Sequence, residues 1–163
     1  MVDDAPSGKP SSSGKPVDMR PGAVLFACRI NVIRSPMAAA LTRQLFPNQI
    51  YTRSAGVRPG VPDPFARTVM DEIGIDISRH VPRSFEELED TNFDLIITLA
   101  PEAHHAALEL TRSHAIDVEY WPTLDPSLAT GSRSQILDAY RGLRNELTLR
   151  IKKRFAWQPR SAD

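Results

Sequence analysis

One stretch of the chain carries the residue types that phosphorus chemistry needs: Cys28-Arg29-Ile30-Asn31-Val32-Ile33-Arg34-Ser35. A lone cysteine is ordinarily a small buried hydrophobe. Here Arg34 follows Cys28 after five intervening residues, and a planar guanidinium can hold two oxygens of a phosphoryl group at once. The thiolate is the nucleophilic form of cysteine, and helix N-termini and nearby cations favour it. A loop that runs into a helix start aims backbone N–H groups at one point, which suits an anion. Asn31 sits mid-loop, and asparagine tolerates the left-handed backbone that a tight anion nest needs. Ser35 can cap the following helix and also donate to the sulfur. One loop would then bind phosphate and ready the nucleophile.

Displacing an alkoxide or phenolate also wants a proton donor. Two Asp-Pro pairs offer one. Asp63-Pro64 reads as a helix opening, with the acid as cap and proline in the first helical position. Asp125-Pro126 follows a strand, does not lead straight into a helix, and belongs at the same sheet edge as Cys28, so Asp125 is the candidate acid.

These residues need a scaffold, and the pattern alternates strand and helix. Strands are predicted over 23–27, 50–53, 94–99 and 116–121, with Ser54-Ala55-Gly56 closing the second. Helices are predicted over 35–46, 64–73, 101–113 and 135–155. The last carries Ile136, Leu143, Leu147 and Ile151 on its inner face. Strands spaced by helices give an α/β fold, a single domain built on a four-stranded parallel sheet with helices on both faces. In such sheets ligands bind at the carboxyl ends of the strands, where Cys28 falls. Arg150, Lys152, Lys153 and Arg154 near the final helix end complement its dipole, a simpler reading than a basic docking patch.

Composition narrows the function classes. The 163 residues hold 20 Lys+Arg and 20 Asp+Glu, so no net charge draws the chain to nucleic acid or acidic lipid. No run of about 18 apolar residues implies a membrane span. One cysteine can form neither an internal disulfide nor a cysteine-rich zinc site, and a free reactive thiol fits a cytoplasmic setting. Residues 1–22 are rich in Ser, Gly, Pro and Lys without an apolar stretch, which reads as a disordered leader; 23–157 form the catalytic domain and 158–163 a short tail. His104, His105 and His114 read as surface residues without metal-pair spacing, and His80 as a packed polar residue.

Taken in order, Val24-Leu25-Phe26-Ala27-Cys28, Asn31, Arg34-Ser35-Pro36-Met37-Ala38, Ser54-Ala55-Gly56, Gly74-Ile75-Asp76-Ile77-Ser78 with His80, Asp94-Leu95-Ile96-Ile97-Thr98 and Asp125-Pro126 resemble the low-molecular-weight protein tyrosine phosphatase family. That family shares its fold with thioredoxin-coupled arsenate reductases. The resemblance spans about 23–155. It implies a cysteinyl-phosphate intermediate on Cys28, with Arg34 as phosphate clamp and Asp125 as acid and then base. It implies a phosphate-binding loop of Arg29, Ile30, Asn31, Val32 and Ile33, supported by Ser35, Ser54 and His80. It implies no metal and no organic cofactor, and as partner a phosphorylated protein or small phosphomonoester; it leaves the oligomeric state open.

The chain also departs from that pattern. Ile30 replaces the usual glycine, and a β-branched residue resists positive φ, so a reshaped or narrowed cradle is expected. Ile33 replaces a frequent second cysteine, leaving oxidised Cys28 dependent on an outside thiol. Ser127 and Leu128 stand where aromatic residues commonly stack on substrate, and Val57-Arg58-Pro59 alters another wall. Arg29 or Arg58 could therefore favour acidic or small phosphorylated substrates. Two alternatives stay open: a single-cysteine arsenate reductase using a small thiol, and a phospho-ligand binding module with little turnover.

Overall fold

The structure, a computed structural model, describes residues 20–90 and 92–156. Residues 1–19 of the expected leader and the expected tail 158–163 lie outside the described residues. Eight elements alternate along the chain: β1 Ala23–Cys28, α1 Arg34–Leu45, β2 Tyr51–Gly56, α2 Pro64–Asp71, β3 Leu95–Thr98, α3 Pro101–Leu110, β4 Asp117–Tyr120 and α4 Arg133–Phe155. The sheet is four-stranded and parallel, in the order β2-β1-β3-β4. The chain leaves β1 for β2 on one side and returns to β3 on the other. The carboxyl end of β1 is thus the switch point, where open α/β sheets leave a crevice.

Strand alternation explains the two cores. Val24, Phe26 and Cys28 point to a cluster shared with α1, α2 and α4, while Leu25 and Ala27 point to a second cluster with Ala103 and Ala107 of α3. Helix α1 lies under both the sheet and α4; each residue from Arg34 to Thr42 is buried, which is why Ala38-Ala39-Ala40 suits it. On α4 the expected Leu143, Leu147 and Ile151 are buried, Ile136 is only partly so, and Leu137 and Tyr140 join them.

Helix ends hold surprises. Ser35 is not a cap: Ile33 occupies that position without a side-chain bond, and Ser35 lies inside α1 with its hydroxyl turned to the cysteine. Strand β2 does not stop at Arg53 but runs through Ser54, Ala55 and Gly56, pairing Gly56 with Cys28. Helix α4 starts two residues early because Ser132 and Gln135 form a capping box. Asp63 caps α2 as expected, accepting from the N–H groups of Phe65 and Ala66, and its other oxygen accepts from the buried Tyr140 hydroxyl. Burial, then that carboxylate, pushes the Tyr140 phenol well above its usual range.

Further along, Glu72 accepts from both Arg141 and Arg144, which join α2 to α4 and hold its carboxyl at about 2. The basic end of α4 is used in packing: Arg154 pairs with Glu119, and Arg150 lies over the Trp121 ring. His104 is more than a surface residue, since Nδ1 bonds the buried Thr98 hydroxyl at 2.9 Å and the ring stacks on Tyr120.

Candidate active site

The loop between β1 and α1 is held from outside by its carbonyls. The second loop, after β2, supplies the donors: Val57 N–H to the oxygens of Cys28 (3.2 Å) and Arg29 (2.9 Å), Arg58 N–H to Arg29, and Gly60 N–H to Ile30 at 2.9 Å. His80 Nε2 donates to the Asn31 oxygen at 2.8 Å. The N–H groups of Ile30, Asn31, Val32 and Ile33 donate to no acceptor among the described residues, although Asn31, Val32 and Ile33 are buried. Buried amides without partners are rare in folded proteins, and four unpartnered N–H groups in succession beside a helix start, three of them on buried residues, form a nest for an anion.

Backbone geometry decides which residue bends. Asn31 takes φ +59°, and the only other described non-glycine residue with positive φ is Asn48. Ile30 keeps an ordinary backbone, so the expected strain at that position does not arise. Its side chain is accommodated instead by the neighbouring loop: a Cβ at Gly60 would come within 2.9 Å of Ile30 Cδ1 and 3.0 Å of its Cβ.

The sulfur of Cys28 is 2% exposed and lies 2.9 Å from Ser35 Oγ. Ser35 also accepts from Asn31 Nδ2 at 2.8 Å and faces the Ala55 carbonyl at 3.3 Å. One hydroxyl proton must serve either the sulfur or that carbonyl. With a thiolate it turns to sulfur; with a thiol it turns to the carbonyl, and the S–H donates instead. Asn31 is fully committed, its amide donating to Ser35 and Ser54 and its oxygen accepting from Arg83 N–H. Ser35, Ser54, Asn31 and His80, which the family resemblance grouped, are brought together here, and of the two roles expected of Ser35 only the one toward the sulfur is seen. Burial lowers the His80 pKa, outweighing the carbonyl bond, with Arg43 and Arg83 adding to the shift.

Arg34 is 8% exposed, and one of its amino groups is fixed by the carbonyls of Thr123 (2.9 Å) and Leu99 (3.3 Å). Anchored so at one corner, the rest of the guanidinium is free to fork an oxyanion. Cys28, Arg34 and Asp125 line one cavity of about 140 Å³, together with Arg29, Ile30, Val32, Ile33, Ser127 and Leu128. A larger cleft of about 560 Å³ beside Arg43 and the start of β2 has no cysteine or carboxylate in its lining, so size alone would misplace the chemistry. Asp125-Pro126 does open a helical turn, contrary to expectation: Pro126–Leu128 is a 3-10 turn capped by Asp125. Asp125 Oδ1 accepts from Ser127 N–H (2.9 Å) and Oγ (2.7 Å), which leaves Oδ2 to carry a proton. Among the described residues no group of three or more His, Cys, Asp or Glu could hold a metal ion.

Sequence reasoning gave no role to Gly60, Arg83 or Thr123, and read Gly56 only as part of the segment that closes the second strand. Arg83 and Thr123 act through the backbone, which leaves no signal in residue type. The glycines could have been found from their spacing just after the second strand.

Known proteins resemble this chain in sequence and in fold. The chain is 30% identical over 130 residues to an arsenate reductase of Shouchella clausii (strain KSM-K16), covering 80% of this chain and 92% of that one. It superposes with a TM-score of 0.69 on an arsenate reductase in the phosphate binding state, at 27% identity over 85% of this chain and 98% of the other. It superposes with a TM-score of 0.65 on a low molecular weight protein tyrosine phosphatase from T. tengcongensis, at 26% identity over 80% and 95%. The sequence model that describes low molecular weight phosphotyrosine protein phosphatases matches residues 23–153, the span that builds the cradle, its supports and the acid loop, and the chain belongs to that family.

Proposed function

We propose that this chain is a phosphatase that hydrolyses phosphotyrosine or related aryl and acyl phosphates through a cysteinyl-phosphate. The observation that carries the reading is the shared cavity: a serine-bonded cysteine at the floor of a cradle of unpartnered amides, an anchored arginine, and a carboxyl on the wall. The Cys28 thiolate attacks phosphorus as the bond to the leaving oxygen breaks. Asp125 gives that oxygen its proton. Arg34 and the loop amides hold the three equatorial oxygens, where charge spreads in the transition state. Asp125 then takes a proton from water, whose oxygen displaces Cys28 from phosphorus and releases inorganic phosphate.

The test is hydrolysis of an aryl phosphate between about pH 5 and 7, without added metal. Wild type turns over, Cys28→Ser does not, and Asp125→Asn is slowed by about 10²–10⁴-fold, the usual contribution of a general acid. A wild type that binds vanadate without turnover would make the chain a phospho-ligand binding module instead.

A second reading has its own support, because the curated relatives are named arsenate reductases. In that chemistry Cys28 forms the sulfur–arsenic bond. The chain's single cysteine leaves no internal thiol to complete a disulfide, so two small external thiols would supply both electrons and leave as a disulfide. Disulfide formed from added glutathione in step with arsenate consumption, and lost in Cys28→Ser, would favour this reading.

A further inference from the structure

The cavity holds a second arginine that the chemistry above does not use. Arg29 lines it, and its Nε is buried without a hydrogen-bond partner. Its side chain forms no ion pair among the described residues. A buried donor without an acceptor is costly, so a folded protein tends to keep one only where something else fills the need. Arg34 is anchored by two carbonyls, and Arg141, Arg144 and Arg154 each meet a carboxylate. Arg58, on the loop whose N–H binds the Arg29 carbonyl at 3.2 Å, is exposed and likewise has no carboxylate within ion-pair distance among the described residues. Arg29 thus lines the cradle with Arg58 bonded to it through the backbone, while among the described residues Asp125 is the only acid in the cavity lining.

We propose that Arg29, with Arg58 beyond it, reads a second acidic group on the substrate. The site would then take phosphomonoesters that bear a carboxylate near the phosphate-carrying group. The Nε edge of a guanidinium matches the two oxygens of a carboxylate side-on. Ile30 and Leu128 offer aliphatic surface to the carbon skeleton between the two acidic groups. The kinetic part of this inference rests on the phosphatase reading; its binding part does not.

The experiment compares two matched pairs with the same phenolic leaving group. The small-molecule pair is N-acetyl-phosphotyrosine and its amide. The peptide pair is a phosphotyrosine peptide with Glu or Gln beside the phosphorylated residue. Each is assayed with wild type, Arg29→Gln and Arg58→Gln, and each is titrated calorimetrically into Cys28→Ser with and without Arg29→Gln. Wild type is expected to prefer the acidic member by about tenfold in kcat/KM, expressed in KM, the scale of one charge-assisted hydrogen bond. Arg29→Gln brings the ratio within about twofold in both kinetics and binding, and Arg58→Gln reduces it only for the peptides. A preference in the small pair alone would assign the site to small metabolites, and one in the peptides alone to acidic protein segments. Turnover without discrimination would overturn the proposal while leaving the phosphatase reading intact. Equal losses on both members in Arg29→Gln would also overturn it, placing Arg29 on the transferred phosphate itself. Discrimination in binding without turnover of any ester would keep the proposal and remove the phosphatase reading.

Discussion

The floor and the rim of the cavity are built differently. At the floor, the carbonyls of Cys28, Arg29, Ile30 and Asn31 each accept a bond from another segment, and the Asn31 amide meets three partners. At the rim, Leu124 and Leu128 are 88% and 78% exposed, and Asp125 is held mainly by its own neighbour Ser127. A floor fixed by four segments keeps donors and sulfur in register, as preorganised catalysis requires. Beyond Thr123, which bonds Arg34 and Leu99, the turn that carries Asp125 bonds its acid within itself and can change residue type without disturbing that register. This division lets the residue types beside Asp125 vary while Cys28, Arg34 and Asp125 keep their places in one cavity. The same division predicts where substitutions will hurt.

The largest effect is expected where the two loops touch. A Cβ at Gly56 would lie 2.8 Å from the Asn31 nitrogen and 3.0 Å from the carbonyl oxygens of Arg29 and Arg58. All three are backbone atoms, so the cradle itself must move. Gly56→Ala should lower kcat/KM on an aryl phosphate by about a hundredfold or more, since a misplacement of about 1 Å has that scale. Thermal unfolding should show a loss of about 1–3 kcal/mol from overpacking. A variant with near-wild-type turnover would show that the floor is softer than its hydrogen bonds suggest.

Asn31→Ala comes next. It removes a residue suited to φ +59° and strands Ser54, Arg83 N–H and one partner of Ser35. A loss of about ten- to hundredfold in kcat/KM follows from two or three hydrogen bonds of ordinary net worth. His80 tests the same carbonyl from the other side. Its pKa is lowered in the fold, so the unfolded chain takes the proton first as pH falls. The stability tied to neutral His80 is present above about pH 6.5 and is lost as pH drops through the folded value. His80→Phe should flatten that acid-side slope in unfolding measured between about pH 5 and 7.5. An unchanged slope would mean that His80 does not set it.

A moderate effect is expected at the contact that absorbs Ile30. Gly60→Ala drives a methyl toward Ile30, and the Ile30 side chain, unlike the backbone at Gly56, can yield. A roughly fivefold to tenfold loss is expected, corresponding to about 1 kcal/mol or slightly more. Adding Ile30→Ala should restore much of it, because the second change removes the atoms in the way. Non-additivity of this size marks direct contact. Additive losses would mean that the two residues act separately.

How far all this could be read beforehand follows from the same division. Cys28, Asn31, Arg34 and Ser35 lie within eight residues, so strand pattern, helix pattern and residue type together located them. Asp63 was legible as a cap because Asp-Pro at a helix start is a local signal. What escaped is long-range. The register that sets Gly56 beside Cys28, the carbonyls of Leu99 and Thr123 that steer Arg34, and the Tyr140 bond to Asp63 join segments 28 to 89 residues apart. Ser35 misled because a serine at a helix start usually caps, whereas tertiary packing gave its hydroxyl to the sulfur. Ile30 misled because a glycine-like backbone was expected there as well; the bend sits at Asn31, where residue type had also put it.

The smallest effect is expected at the rim, and its smallness is what the comparison demands. Leu128 projects into solvent at the end of the 3-10 turn that Asp125 caps. Leu128→Ser removes little buried surface and breaks none of the bonds to Asp125 Oδ1, so stability should stay within about 0.5 kcal/mol of wild type. On an aryl phosphate, kcat should change less than about threefold while KM rises, because the side chain lines the cavity and would meet the leaving group's carbon skeleton rather than the phosphoryl group. The contrast with Leu128→Tyr is sharper still. An aromatic ring there can stack on a phenyl leaving group, a contact worth about 0.5–1.5 kcal/mol, and should lower KM for aryl over alkyl phosphates. A Leu128→Ser variant that loses kcat as severely as Asn31→Ala would show that floor and rim are one unit, with the acid held by the exposed leucine as well as by Ser127.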